Sequence, residues 1–295
     1  MSRIVTYSPS RTLVPTYECF NRCSYCNFRT DIGAGTPLSL QRAREILAGL
    51  QGTGITEILI LSGEVHPLSA ARGEWFDRIH SLCELALEMG FYPHTNAGIL
   101  TFDEMARLKT VNSSMGLMLE QVTPTLLDTV HRHAPSKVPK IRLEQLEFAG
   151  KLQIPFTTGL LLGIGESESD RDETLREIDR IHCRWGHIQE VILQPYNPGT
   201  RESWDKAAFD PRRLPELIQR ARQILSADIV IQIPPNLVAD FRFLLDCLEA
   251  GARDLGGIGT IDEVNPDYAY LHPDILREKL AREGWTLVPR LPVYS

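Results

Sequence analysis

Short apolar segments alternate with helical segments along almost the whole chain of 295 residues. The apolar segments are six to eight residues long and end at glycine, proline or polar residues, as is typical of buried parallel strands. They predict eight strands, at residues 12–17, 57–62, 91–96, 113–120, 156–163, 188–194, 228–233 and 253–258. Helices are predicted between them, at residues 40–50, 74–89, 170–185, 214–225, 237–249 and 274–283, with shorter pieces after Thr101 and within residues 124–150.

Strand–helix alternation of this kind predicts a parallel sheet with right-handed crossovers. About eight units favour a closed (β/α)8, TIM-like barrel of parallel strands. We expect a single domain over residues 1–295, with a terminal helix and tail, about 270–295, packed on it. Active sites of such barrels lie where the strands end, so the residues that follow each strand are the candidates for function.

Three cysteines, Cys19, Cys23 and Cys26, follow the first predicted strand at a C-x₃-C-x₂-C spacing. Thiolates this close in sequence can converge on one centre, and soft sulfur ligands select zinc, Cu(I) or iron–sulfur clusters. A structural zinc site and an ordinary iron–sulfur electron carrier both take four protein ligands. The other cysteines, Cys83, Cys183 and Cys247, are single and far apart, and each is expected to be a buried structural residue. An iron cluster held by three cysteines would keep one metal position open for chemistry.

Composition and charge exclude several classes of protein. A net charge of −7 argues against a nucleic-acid binder, and no run of about 18 apolar residues predicts a membrane span. Six cysteines are too few for a disulfide scaffold. The tight triple and the lack of a signal-peptide core at the N-terminus favour a cytoplasmic protein.

Two further motifs follow predicted strands, Ser62-Gly63-Glu64 and Gly163-Ile164-Gly165-Glu166. With the cysteine loop after the first strand, they resemble motifs of the radical S-adenosylmethionine (radical SAM) superfamily. Serine stands where the superfamily's G-G-E motif has its first glycine. The sequence is similar, across nearly its whole length, to the cyanobacterial CofG family of deazaflavin synthase subunits. The phrases that carry this narrower resemblance are VPTYECFNRC at residues 14–23, LSGEVHP at 61–67 and HRHAPSK at 131–137.

The resemblance implies two cofactors, a 4Fe–4S cluster held by the three cysteines and S-adenosylmethionine bound to its open iron. It implies that Ser62, Gly63 and Glu64 bind S-adenosylmethionine, with Glu64 accepting from the methionine ammonium. It also implies that Arg142 pairs with the methionine carboxylate. Glu120 would contact the ribose or the methionine end. The adenine would lie beside Tyr25 and close to the backbone of Gly163 and Gly165. Solvated carboxylates, a surface arginine and core packing are the ordinary alternatives for these side chains.

Barrel geometry alone suggests residues for the substrate. His66 and His94 are candidate acid–base groups, although a histidine at a strand end is more often simply hydrogen-bonded. Candidate polar contacts to the substrate are Asn96, Gln194, Tyr196, Asn197, Asn236, Asp262 and Asn265. Asn236 is also expected to cap the helix at residues 237–249. A basic cluster between His131 and Arg142 reads mainly as a solvated face.

The resemblance implies a radical SAM lyase acting on a small molecule. Its substrate would be the tyrosine-derived hydroxybenzyl adduct of a ribitylated diaminouracil, made by the partner enzyme CofH. Hydrogen abstraction by a 5′-deoxyadenosyl radical, ring closure and loss of ammonia would give the deazaflavin. A flavodoxin- or ferredoxin-type protein would donate the electron. The alternatives are a radical enzyme of the biotin-synthase or hydrogenase-maturase type, and a non-catalytic iron–sulfur or zinc protein.

Overall fold

The computed structural model describes residues 3–202, 204–238, 240–259, 262–264 and 272–294. Eight parallel strands close into a barrel because the first strand pairs with both the second and the eighth. Each strand pairs with its neighbour in chain order, which confirms the predicted (β/α)8 fold. The barrel strands are β1 (Ile4–Leu13), β2 (Glu57–Leu61), β3 (Tyr92–Asn96), β4 (Ser114–Gly116), β5 (Phe156–Leu162), β6 (Ile188–Pro195), β7 (Val230–Gln232) and β8 (Asp254–Ile258).

One α-helix follows every barrel strand, and its apolar face packs on the outside of the sheet. Side chains cap the starts of several helices, as in the Thr101–Glu104 capping box. The helices are α1 (Leu40–Leu50), α2 (Arg72–Glu88), α3 (Phe102–Lys109), α4 (Pro139–Lys151), α5 (Glu168–Trp185), α6 (Leu214–Ile224), α7 (Phe241–Ala250) and α8 (Pro273–Arg282). None of the helices in the described ranges combines the length and apolar composition that a membrane crossing requires.

The first strand differs from the prediction. β1 begins at Ile4 and ends at Leu13, whereas the sequence predicted a strand at residues 12–17. The alternating segment that starts at Ile4 supplies the barrel strand, and Pro15 lies beyond it. A stretch of five residues therefore separates the end of β1 from Cys19, so the cysteines lie above the barrel mouth rather than directly on the strand end.

The tail after α8 closes the N-terminal end of the barrel. β9 (Thr286–Pro289) pairs in parallel with Ile4–Tyr7 of β1, below the part of β1 that pairs with β2. Arg290 then reaches into the barrel and forms ion pairs with Asp254 at 2.6 Å and Glu190 at 3.0 Å. The function of this tail could not be predicted from the sequence, because both partners of Arg290 are remote in the chain.

Three smaller predictions were wrong. Asn236 does not cap α7; it lies in a 3-10 turn, and Asp240 accepts from the Arg242 N–H as the cap. α5 begins with Ser167 as its cap rather than at residue 170. Cys183 is exposed on α5, although Cys83 and Cys247 are buried as expected.

Candidate active site

The cysteine loop is tied to the barrel by backbone hydrogen bonds. Cys19 N–H donates to Thr30 O at 3.3 Å, and Thr30 N–H donates to Tyr17 O at 2.8 Å. Phe20 N–H donates to Glu64 O at 3.0 Å. The loop is therefore held at both ends and packs on Glu64, three residues after the end of β2. This arrangement places all three thiols over the C-terminal mouth of the barrel.

The three thiols are free, half-buried and close enough that the charge of Cys26 acts on the other two. Burial raises the pKa of the Cys23 thiol to about 12, while the charges of Lys137 and Arg142 act in the opposite direction. Two N–H groups point at the Cys19 sulfur, from the Glu64 backbone at 3.4 Å and from the Asn21 amide at 3.8 Å. Hydrogen bonds to sulfur and nearby cations favour thiolates that are bound to metal.

These residues fit an iron–sulfur cluster with three protein ligands. Cys83 and Cys247 are buried on α2 and α7, and Cys183 is exposed on α5, so none of them belongs to the loop. Among the described residues, no group of three or more His, Cys, Asp and Glu side chains converges as the ligands of a single metal ion do. A four-iron cube does not require that convergence, because each cysteine binds a different iron.

A buried ion pair lies beneath the loop. Arg142 Nη2 donates to Glu64 Oε1 at 2.8 Å, and the same guanidinium donates to Ser136 O, Ser136 Oγ and Met118 O. Burial acts to raise the pKa of Glu64, but the charges of Arg142 and Lys137 outweigh it and hold the pKa below its ordinary value. Glu64 Oε2 accepts a long hydrogen bond, 3.5 Å from Ile99 N. It is therefore held less tightly than Oε1 and can also accept from a cationic ligand.

A second ion pair joins Glu120 to Lys137. The Nζ–Oε1 distance is 2.5 Å, and 8% and 11% of the two side chains are exposed. Glu120 follows β4 in a left-handed conformation with φ 64°, which is uncommon for a residue other than glycine. Such conformations cost about 1–3 kcal/mol and cluster at functional sites.

The segment from Val130 to Lys137 forms the second wall of the cysteine loop. Ser24 N–H donates to Val130 O at 3.0 Å, and the Asn21 amide exchanges two hydrogen bonds with Ser136. His131 is buried against Tyr25, with its Nε2 2.9 Å from the tyrosine hydroxyl. Arg132, His133 and Lys140 are exposed, as expected for a solvated face. His131 and Lys137 instead face the site, which the local sequence pattern could not distinguish.

The Ser62-Gly63 step brings the β2 end against the cysteine loop. Gly63 N–H donates to Thr16 O, and a Cβ at this position would lie 2.1 Å from Glu18 O. Only glycine allows this approach. The Ser62 hydroxyl donates to Gly63 O and accepts from Trp75 Nε1, so its contacts in the structure anchor α2.

Tyr25 and the β5 tip flank a small apolar cluster. Tyr25 packs against the buried side chains of Leu126, Val130, Leu161, Ile164 and Tyr196. Gly163 and Gly165 have φ values of 91° and 115°, and the Glu166 carboxylate accepts from the N–H groups of Gly163 and Ile164. The cluster is apolar and buried, and Tyr25 connects it to the cysteine loop.

A cavity of about 420 Å³ runs through the barrel interior and meets the site at Met118. Met118 lines the cavity, and its carbonyl accepts from Arg142 at 2.9 Å. The interiors of such barrels are usually filled with Val, Ile and Leu. In this chain, many inward side chains are polar, among them Ser10, Thr12, Glu57, His94, Thr157, Glu190 and Gln232.

Five of the side chains predicted from barrel geometry line this cavity: His94, Asn96, Gln194, Asn236 and Asp262. Asn236 donates to Asp262 at 2.6 Å, so these two form one polar unit near the mouth. Tyr196 is buried in the apolar cluster, Asn197 is half-buried outside the lining, and His66 is exposed. Asn265 lies outside the described residues.

His94 is buried in the middle of the barrel. Its Nδ1 is 2.7 Å from Ser114 Oγ, and burial, with a smaller contribution from Arg290, lowers its pKa to about 4. The imidazole is therefore neutral near pH 7. No N–H, hydroxyl or carbonyl of the described chain partners its Nε2, which faces the cavity beside Gly116.

Comparison with known proteins agrees with this arrangement. The chain matches the radical SAM superfamily over residues 13–178. It is 65% identical to the 7,8-didemethyl-8-hydroxy-5-deazariboflavin synthase of Trichormus variabilis, over 99% of this chain and 86% of that one. It is 60% identical to the synthase of the same name from Trichodesmium erythraeum, over 100% of this chain and 92% of the relative.

Among solved structures, the FeFe-hydrogenase maturase HydG from Carboxydothermus hydrogenoformans superposes with a TM-score of 0.79. The match covers 97% of this chain and 67% of that one at 19% sequence identity. At this identity the likeness shows a common barrel fold.

Proposed function

The chain belongs to the radical SAM superfamily, and from this premise we propose that it is a deazaflavin synthase. It acts on the tyrosine-derived hydroxybenzyl adduct of 5-amino-6-ribitylaminouracil and yields the 8-hydroxy-5-deazaflavin chromophore with loss of ammonia. The observation that carries the proposal is the near-full-length similarity to synthases of that name. The cysteine loop, the two ion pairs and the polar cavity give this chemistry a place in the fold.

Cys19, Cys23 and Cys26 would hold a 4Fe–4S cluster, and S-adenosylmethionine would bind beside it. Together these cofactors supply a 5′-deoxyadenosyl radical that abstracts a hydrogen atom from the substrate. The chain itself binds, orients and shields the reactants, as expected where cofactors carry the chemistry. The closure of the barrel floor by Arg290 leaves the mouth as the open end of the cavity.

Glu64 and Lys137 are the residues that we assign to the methionine end of S-adenosylmethionine. Glu64 Oε2 is open to an ammonium group. Arg142 already makes four hydrogen bonds to Glu64, Ser136 and Met118, so it positions Glu64 rather than offering a free fork. Within the described part of the chain, Lys137 forms one ion pair, with Glu120, and it keeps two N–H donors for a carboxylate.

The apolar cluster beside Tyr25 is the proposed seat of the adenine, with the turn at Gly163 and Gly165 as its backbone edge. Glu120 is near both Tyr25 and Cys23, because its charge raises the pKa of each group. That position suits a contact to the ribose hydroxyls.

The proposed partners follow from the reaction. CofH would supply the substrate, and a flavodoxin- or ferredoxin-type donor would supply the electron. Arg22, Arg132, His133 and Lys140 are exposed next to the cysteine loop, and Arg22 N–H donates to His133 O at 2.7 Å. This basic edge on a chain of net charge −7 suits an acidic donor. Six free cysteines are compatible with the reducing cytoplasm.

The test is anaerobic reconstitution of the cluster, reduction, and incubation with S-adenosylmethionine and the CofH product. The proposal predicts a fluorescent deazaflavin together with 5′-deoxyadenosine. Formation of 5′-deoxyadenosine without deazaflavin would support the radical SAM activity and refute the proposed substrate.

A further inference from the structure

The wall of the barrel cavity formed by β1, β2 and β3 carries polar groups that the protein itself leaves unused. Ser10, Thr12 and Asn96 line the cavity, and their side chains have no hydrogen-bond partner within the described ranges. Glu57 is buried, with 7% of the residue exposed. Within the described ranges, only its Oε2 accepts a hydrogen bond, from the Ser8 hydroxyl. His94 Nε2 is also open to the cavity.

These groups stand at successive heights along the barrel axis. Ser10 and Glu57 are paired in register, Thr12 pairs with Leu59, and Leu59 pairs with His94. Asn96 lies one inward position higher on β3. Inward side chains two residues apart are separated by roughly 6.6 Å along a strand. The wall is therefore a ladder of hydroxyl, carboxylate, imidazole and amide groups from the barrel floor to the mouth.

These groups can be reached from the cavity, and a ligand that fills it displaces water from them, which costs free energy unless the ligand forms the missing hydrogen bonds. A cavity lined by several such groups therefore favours a ligand that supplies those hydrogen bonds. The ligand must carry several donors and acceptors spaced along its length. A chain of vicinal hydroxyl groups meets that requirement, because each hydroxyl both donates and accepts.

Several apolar side chains line the same cavity near the mouth of the barrel. Leu117 and Met118 follow β4, Leu237 follows β7, and Ile258 ends β8. Flat rings bind between apolar side chains, so the heterocyclic part of a substrate belongs at this level. The cysteine loop lies over the same mouth, so the reacting part of the substrate has to stay there and its unreactive part points to the floor.

We propose that the β1–β3 wall is a polyol subsite that binds the ribityl chain of the substrate, with Glu57 and Ser10 at its deep end. This inference rests on the proposed function, because that function supplies the ribityl group. On the opposite side of the floor, Gln232, Glu190 and Arg290 also line the cavity, and Arg290 is paired there with Glu190 at 3.0 Å. The subsite makes the enzyme select substrates by a group that takes no part in the reaction.

The test compares two probes in equilibrium binding to the reconstituted enzyme, 5-amino-6-ribitylaminouracil and the analogue with methyl in place of ribityl. The wild-type chain is expected to prefer the ribityl compound by at least about tenfold, which corresponds to one or two hydrogen bonds. The substitutions Ser10→Ala, Thr12→Val and Glu57→Gln are each expected to reduce this preference about three- to tenfold and to leave binding of the methyl analogue unchanged.

Thr158→Val is the matched control. Thr158 is a buried β5 residue whose hydroxyl also has no partner in the described part of the chain, but its side chain does not line the cavity. The control should keep the wild-type preference. Ser10→Ala and Thr12→Val keep the test informative if Glu57→Gln disturbs the fold, which melting followed by circular dichroism would reveal.

Equal affinity of the wild-type chain for both probes would overturn the subsite, as would variants that weaken both probes alike. The proposed function is measured separately, by conversion of the full substrate to deazaflavin. A wild-type chain that prefers the ribityl probe and yields no deazaflavin would support the subsite and refute the function. Deazaflavin formation without any preference for the ribityl probe would support the proposed function and refute the subsite.

Discussion

Arg142 donates from Nη2 to Glu64 Oε1 over 2.8 Å, and only 2% and 10% of the two side chains are exposed. The pair joins the start of α4 to the residue after β2 and lies under the cysteine loop. Removing one member of a buried ion pair leaves an uncompensated charge and typically costs 3–5 kcal/mol. The pair therefore fixes the orientation of Glu64 through Oε1, while Oε2 makes the longer contact to Ile99 N.

Glu64→Gln should weaken the binding of S-adenosylmethionine by about tenfold or more, because a charge-assisted hydrogen bond becomes a neutral one. Iron content should stay the same, since the Glu64 backbone, not its side chain, contacts Cys19. Titration calorimetry and iron analysis measure the two effects. Glu147→Gln is the control, because Glu147 pairs with Arg184 near the C-terminal ends of α4 and α5, at the opposite end of the barrel from the mouth, and should leave the affinity unchanged. Loss of iron from Glu64→Gln would show that its role is in the cluster loop.

Lys137→Met should also reduce the affinity for S-adenosylmethionine about tenfold, because it removes the cation that is least committed to protein partners. Lys140→Met removes an exposed cation three residues away and should have no effect. Dissociation constants of the reconstituted proteins give the answer. Equal dissociation constants for the wild type and Lys137→Met would show that Arg142, not Lys137, binds the methionine carboxylate.

Cys23→Ala should abolish cleavage of S-adenosylmethionine and strongly reduce the iron bound after reconstitution, because a three-ligand cluster tolerates no further loss. Cys183→Ala changes an exposed cysteine on α5 and should retain both properties. Iron analysis and assay of 5′-deoxyadenosine distinguish the two variants. Retained cleavage in Cys23→Ala is incompatible with the cluster assignment.

The stability of the fold should fall in mild acid because of His94. Its pKa is about 4 in the folded chain and ordinarily 6.5, so the neutral imidazole contributes stability above pH 6.5 that is lost as the pH falls toward 4. Between pH 7 and pH 5 the wild-type chain should lose about 2 kcal/mol more unfolding free energy than His94→Gln. Urea unfolding of both proteins under anaerobic conditions measures this difference. Parallel pH profiles would show that His94 is solvated.

The barrel and the shared position of the three cysteines could be predicted because each follows from a local sequence pattern. Strand–helix alternation predicts the fold, and the spacing of Cys19, Cys23 and Cys26 predicts a shared metal centre. Lys137 was not singled out, because a basic run such as HRHAPSK is usually solvated and only the docking of Asn21 on Ser136 turns it inward. The places of Glu57 and Arg290 at the barrel floor were not predicted, because these residues come from β2 and the C-terminal tail and are far apart in the sequence.

We propose that a radical formed beneath the cysteine loop reaches a substrate seated in the barrel cavity. A direct measurement uses substrate in which every carbon-bound hydrogen is deuterium, with mass analysis of the 5′-deoxyadenosine that is released. Deuterium is expected in the 5′-deoxyadenosine, which should form together with deazaflavin. Deazaflavin accompanied only by unlabelled 5′-deoxyadenosine would show that the radical does not reach the substrate.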